Sequence, residues 1–284
     1  VNISSNGLLI DKKEIDFLYS NNVSIMISLD GSSKDTHEKI RGKDTFSKTI
    51  SIIEKLAKSN VKVGINTLIH EKNIHELDKL ITLAYNLGCH GFNPINLVQL
   101  GRACDSKLKR ASEKQIFKIT AKHLEKYPEH LNLFRNSSLF SSLGSAVLAG
   151  ISCRNCGIGD RPCIYISEIG NIFPCANTQK EEFKLGNLRE ESIEECLSNH
   201  KILNKFRELD VDTLNEKCSV CHVRKFCGGD CRGETYNVTE NLRAPYVACE
   251  DRKNSLIELM WITAKNPHFF ENRAKEYIQN THRN

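Results

Sequence analysis

Cys218-Ser219-Val220-Cys221-His222-Val223-Arg224-Lys225-Phe226-Cys227-Gly228-Gly229-Asp230-Cys231 places four thiols within fourteen residues, in the spacing Cys-x2-Cys-x5-Cys-x3-Cys. Two cysteines separated by two residues can turn both sulfurs towards one centre, because the amides of the tight loop between them orient the thiolates; zinc and iron–sulfur clusters both use this geometry. Gly228 and Gly229 let the backbone pass close to an inorganic cluster where a Cβ would clash. From this stretch alone, a structural zinc ribbon and an iron–sulfur site are evenly matched.

The chain has 284 residues and 12 cysteines, ten of them from Cys153 to Cys249. A disulfide framework suits a small secreted protein, but Val1 opens into strand-like sequence with no charged and apolar leader. A reducing, cytoplasmic compartment and metal ligation are expected instead. With 39% hydrophobic and 26% charged residues and no membrane-length apolar run, the composition is that of a soluble protein, and no membrane partner is expected. The net charge of +5 is scattered over 40 basic and 35 acidic residues, so no basic stripe awaits a nucleic acid.

Upstream lie Cys156, Cys163 and Gly170-x4-Cys175, and downstream Cys249. With the dense stretch they make eight thiols, enough for two four-thiolate sites. The pattern resembles the SPASM domain, a twin-cluster extension of radical S-adenosylmethionine enzymes, over roughly residues 150–250. That resemblance implies one auxiliary 4Fe-4S cluster on Cys156, Cys163, Cys175 and Cys231, and a second on Cys218, Cys221, Cys227 and Cys249. Cys153 is the alternative to Cys156, while Cys89, Cys104 and Cys196 read as small, partly buried thiols.

Residues 1–100 alternate β-branched runs with helical patterns, predicting strands near 23–28, 61–68 and 90–96 in a parallel sheet. Phe46, Ile50, Ile53 and Leu56, then Leu77, Leu80, Ile81 and Ala84, fall at helical spacing. Helices are predicted over 112–127, with Ser112 as cap, and over 138–149. Beyond a boundary near residue 150 come a hairpin over 163–175 turning at Gly170, a helix over 191–206, a cysteine-rich loop over 218–231 and closing helices after Asp251. The expected domains are thus 1–150 and 151–284, the second a small cysteine-rich α+β domain.

The first hundred residues also resemble the second half of a radical S-adenosylmethionine partial (β/α) barrel. The Ser5-Asn6-Gly7 turn, the strand end Ile27-Ser28-Leu29-Asp30-Gly31, the stretch His37–Arg41, and Gly101-Arg102-Ala103 after Asn93-Pro94 occur in the family's order. The resemblance implies that Ser28 and Arg41 contact the amino-acid end of S-adenosylmethionine; outside it, they read as a small strand-end residue and a solvated helix-end cation. Asp30 either shapes the pocket or caps the next turn. His37 reads as a structural polar residue, and Asn66 and Asn96 either line the pocket or serve backbone hydrogen bonding.

The motif Cys-x3-Cys-x2-Cys that holds the radical-generating cluster in this family does not occur. The expectation is an N-terminally truncated enzyme whose intact form carries a third 4Fe-4S cluster and S-adenosylmethionine, the chain alone being inactive. The intact enzyme would cleave the cofactor reductively, and the deoxyadenosyl radical would abstract hydrogen from a ribosomally made precursor peptide, with a flavodoxin or ferredoxin as electron donor. The runner-up is an anaerobic sulfatase maturase, which resembles its relatives in placing Asp after the cysteine of Gly-x4-Cys; Ala176 stands there. A non-catalytic electron-transfer protein and a zinc-binding interaction module are the rivals outside enzymes.

Overall fold

The computed structural model describes residues 1–281 apart from 99, 105, 136, 138, 139, 160–162 and 199. Two compact units emerge, one of Val1–Leu97, Lys107–Gly150 and Ile257–Asn284, the other of Val98–Ser106 and Ile151–Leu256.

The first unit carries strands β1 (Asn2–Ser5), β2 (Ser24–Ser28), β3 (Val63–Ile69) and β4 (Gly91–Asn96), all parallel and in sequential order. Between and after them run α1 (Lys12–Ser20), α2 (Lys34–Arg41), α3 (Phe46–Lys58), α4 (Leu77–Asn86), α5 (Glu113–Lys126) and α6 (Phe140–Leu148). β1 extends through Ser4 and Ser5, which had been expected in a turn; the turn comes at Gly7, with φ +77°. Local chemistry fixes the helix starts. Asp11 and Glu14 form a capping box on α1, and Ser112 caps α5 by accepting from Gln115 N at 3.4 Å. The predicted helix start at Ser138 lies outside the described residues.

Strand alternation splits the sheet into two unlike faces. Ile25, Ile27, Val63, Ile65, Ile69 and Phe92 are buried in a core with Ile53 and Leu56 of α3, Leu77, Leu80 and Ile81 of α4, and Ile116 and Phe117 of α5. The alternate positions Ser4, Ser24, Met26, Ser28, Asn66 and Asn93 remain accessible. Parallel sheets are normally covered on both faces, so a polar, accessible face on this one marks a barrel interior or a binding face.

The second unit has a small antiparallel sheet of β5 (Tyr165–Ile166), β6 (Asn171–Phe173) and β7 (Gly186–Asn187), in that order. The hairpin turns at Gly170, φ +87°. The single helix expected over 191–206 is two, α7 (Ile193–Leu197) and α8 (His200–Arg207). Ser198 stops the first, its hydroxyl donating back to Glu195 O at 2.6 Å. The cysteine-rich loop contains two single-turn helices, α9 (Glu216–Ser219) and α10 (Arg224–Cys227), and is followed by α11 (Arg232–Thr239).

α12 (Cys249–Lys265) and α13 (Glu271–Thr281) complete the chain. The second domain had been drawn through residue 284, but Ile257–Asn284 counts with the first unit. The reason is apolar: Leu259, Ile262, Phe269 and Phe270 are buried in the core of the four-stranded sheet.

Candidate functional site

The C-terminal ends of the parallel strands carry the first group. Asp30, fully buried just beyond β2, accepts from Leu68 N at Oδ1 (2.8 Å) and from Arg41 Nε at Oδ2 (2.5 Å). Its backbone N–H donates to His37 Nδ1 at 3.2 Å, and its carbonyl accepts from Asn73 Nδ2 at 2.9 Å. Asp30 therefore neither caps its own turn nor lines a pocket; it ties β2 to β3 and anchors Arg41 at the end of α2. Glu76 fixes the start of that helix, accepting from Ser32 N (2.6 Å), Ser32 Oγ (2.9 Å) and the Thr36 hydroxyl. His37 and His70 are buried with Nε2 unpartnered, and burial pushes both imidazoles below their usual range.

Ser28 and Asn66 are register partners on the polar face. Asn66 accepts from Asn93 Nδ2 at 3.2 Å. Asn66, Asn93, Ser4, Ser24 and Met26 line a cavity of about 880 Å³ with Gly64, Tyr85, His90 and Glu129. Asn96 lies on the opposite face, donating to Ala111 O at 3.0 Å, and is a structural residue. Asn93 and Ser4 had not been singled out; their two-residue periodicity was the available signal. Gly101–Ala103 forms a short 3-10 turn.

The thiols make up the second group. Cys156 senses both Cys231 and Cys175 electrostatically. Asn177 spans the latter two, its N–H donating to Cys175 Sγ (3.3 Å) and its Nδ2 to Cys231 Sγ (3.2 Å). Glu234 N donates to Cys231 Sγ at 3.3 Å, so Cys231 caps α11 and its sulfur faces the positive end of a helix. Cys163 is exposed, and no contact places it with these three among the described residues. In the other set, Cys218 acts on both Cys227 and Cys249, and Cys221 on Cys249. Cys153 bonds through its backbone to Lys225 O and has burial as the sole influence on its thiol. Cys196 is core, and Cys89 is pushed up to about 12 by burial.

Burial raises the Cys156 thiol against the opposing Ile158 N–H and Arg232 guanidinium, and raises Cys227 to about 12 with help from Asp230. Both sets are thus protonated in the empty protein, and metal loading must expel those protons. No three His, Cys, Asp or Glu side chains converge tightly enough for a single ion among the described residues. An iron–sulfur cluster asks less convergence, since each thiolate takes its own iron. Thiol donors, N–H donors aimed at sulfur and two separate sets therefore fit clusters.

Gly228 and Gly229 take φ +60° and +78°, but the close approach they allow is to protein: a Cβ would meet Asn155 O at 2.7 Å and Leu214 Cδ2 at 2.8 Å. Gly233 does the same for Asn177, whose carbonyl would lie 2.5 Å from its Cβ. That contact seats Asn177 between Cys175 and Cys231. Asn177 had not been anticipated, because nothing in the cysteine spacing points to a sulfur donor.

Residues 1–84 match the model of the Radical SAM superfamily, and residues 153–222 match SPASM, an iron-sulfur cluster-binding domain. The chain thus belongs to the radical SAM proteins that carry a SPASM domain. Among curated relatives, the AdoMet-dependent heme synthase of Methanosarcina barkeri is 26% identical over 84% of this chain and 70% of its own. The sporulation killing factor maturation protein SkfB of Bacillus subtilis is 28% identical over 77% of this chain and 50% of its own. The structure of native anSMEcpe with bound AdoMet superimposes with a TM-score of 0.70, 22% identity, and coverage of 96% of this chain and 74% of that one. The chain spans only half to about 70% of the curated relatives it matches.

Proposed function

We propose that the chain is the peptide-modifying part of a radical SAM/SPASM maturase, holding two auxiliary 4Fe-4S clusters beside a substrate-binding sheet face. The observation that carries this reading is the pairing of an accessible polar sheet face with two separated thiol sets, Cys156/Cys175/Cys231 and Cys218/Cys221/Cys227/Cys249, with Cys163 assigned to the first. SkfB and the mycofactocin maturase MftC, 24% identical to this chain over 88% of it, are maturation proteins by name and share this arrangement of domains. When bound, S-adenosylmethionine and its cluster supply the deoxyadenosyl radical. Ser28 and the free nitrogens of Arg41 would orient the cofactor's amino-acid end, while Asn66, Asn93 and Ser4 hydrogen-bond substrate on the open face. Ala176 brings no carboxylate beside Cys175, which separates this reading from sulfatase maturation.

No described helix is long and apolar enough to cross a membrane; a cytoplasmic site with a flavodoxin or ferredoxin donor suits oxygen-sensitive clusters. Because Cys-x3-Cys-x2-Cys is absent from these 284 residues, they alone are expected to bind iron without cleaving S-adenosylmethionine. Anaerobic reconstitution should load about eight iron and eight sulfide per chain, as two clusters with four thiolates each require; colourless protein containing zinc would refute the cluster assignment. Function is tested by incubating an enzyme that also contains the three-cysteine motif with S-adenosylmethionine, dithionite and a precursor peptide encoded beside the gene. A mass change in the peptide is expected. Turnover of a haem precursor instead would favour a second reading, for which the heme synthase relative speaks.

A further inference from the structure

Arg232 is the largest fully buried side chain in the molecule. It follows Cys231 directly, at the first position of α11. Its Nη1 donates to Leu242 O (3.0 Å) and Ala244 O (2.8 Å), and its Nη2 to Gly229 O. All three acceptors are neutral carbonyls, no carboxylate pairs with it among the described ion pairs, and Nε is buried without a partner. A guanidinium cannot shed its proton to escape such a place, and a buried charge without a counter-charge is costly. What it does act on is the Cys156 thiol.

We propose that Arg232 is the built-in counter-charge of the cluster on the Cys156/Cys175/Cys231 set, and that it holds the potential of this cluster above that of the other. The inference rests on the cluster reading above. A 4Fe-4S core with four thiolates is a dianion when oxidised and a trianion when reduced, so a nearby fixed cation favours the added electron. Hydrogen bonds to sulfur act in the same direction. This set receives them from Asn177 N, Asn177 Nδ2 and Glu234 N. The environment of the second set is electrically mixed. Asp230 opposes Arg252 at Cys227, and Glu250 opposes Lys217 at Cys249. The asymmetry comes from the chain itself, with Arg232 as a positioning and tuning residue.

The test is an EPR-monitored redox titration of the reconstituted full chain, with iron and sulfide assayed on the same samples. Two midpoints are expected, and the more positive one should survive in Cys249→Ala, which disables the second set. Arg232→Gln should lower that midpoint by at least a tenfold change in the reduction equilibrium, about 59 mV for a one-electron couple, and leave the other in place. Arg232→Lys, which keeps the charge, should recover most of the shift. If the midpoint surviving in Cys249→Ala is the more negative, or if fully loaded Arg232→Gln and Arg232→Lys shift alike, the inference is wrong while the cluster reading stands. A parent chain that takes up no iron overturns both.

Discussion

Arg41 holds Asp30 through Nε at 2.5 Å, with Asp30 wholly buried and about 35% of the Arg41 side chain exposed. Removing the arginine would strand a buried carboxylate with only Leu68 N for company, whereas Arg41 can turn to water if the carboxylate is removed. Arg41→Ala should therefore cost about 2 kcal/mol in a urea titration, discounted from a fully buried pair for its exposure, and Asp30→Asn less. Equal stabilities would show that the pair is ornamental. His37 and His70 give a pH signature. Each accepts a backbone N–H at Nδ1, from Asp30 and Lys72, so each is neutral in the fold. Burial lowers both, against Asp30, Glu38 and Glu71 and alongside Arg41 and Lys72. With folded values depressed, the unfolded chain takes up protons first, so stability present above about pH 6.5 is lost as pH falls below it. Urea midpoints between pH 7.5 and 5 should fall, and less steeply in His70→Gln than in the parent. The role of Asp30 was not legible in sequence because its partner amide, Leu68, lies on another strand, and neither residue type nor local spacing reports it.

Elements were easier to read than their ends. β2, β3 and β4 stood out through β-branched runs, and α3 and α4 through apolar spacing, because each buries one face in the same core. Asn96 was misplaced for want of phase: strand ends had been marked, but the two-residue alternation that puts Asn93 on the open face and Asn96 in the core had not been followed through. The α6–α13 contact left still less trace in sequence. Gly144 of α6 meets the Phe270 ring, and a Cβ there would lie 2.3 Å from Cε1. Gly144→Ala gains about 1 kcal/mol of helix propensity but overpacks a buried aromatic at a cost of about 1–3 kcal/mol. A net loss is expected in thermal unfolding, relieved by combining it with Phe270→Leu. A higher melting temperature in the single variant would mean that the two segments part freely.

At the scale of the whole chain, the two units differ in what holds them. The first has a sheet covered by α3, α4 and α5 and a core reaching from Ile15 to Phe270. The second relies on a smaller cluster around Ile172, Phe183, Leu185, Phe206 and Leu214, strands of two or three residues, and single-turn helices. Its cysteine spacing made it recognisable in sequence, whereas the return of Ile257–Asn284 to the first unit was hidden, since pattern along a helix does not say which core it fills. Where the apolar core is small, metal binding free energy serves as folding free energy. Hydrogen exchange on the full chain with and without iron should therefore separate the units. In the iron-free protein, amides such as Leu185 N on Ile172 O and Val211 N on Arg154 O should lose protection. Those of the parallel sheet, such as Leu29 N on Asn66 O and Ile25 N on Lys62 O, should keep theirs. Uniform loss would mean that the sheet depends on the clusters for its fold, and unchanged exchange in both would mean that the second core stands without metal, leaving the thiols no structural part.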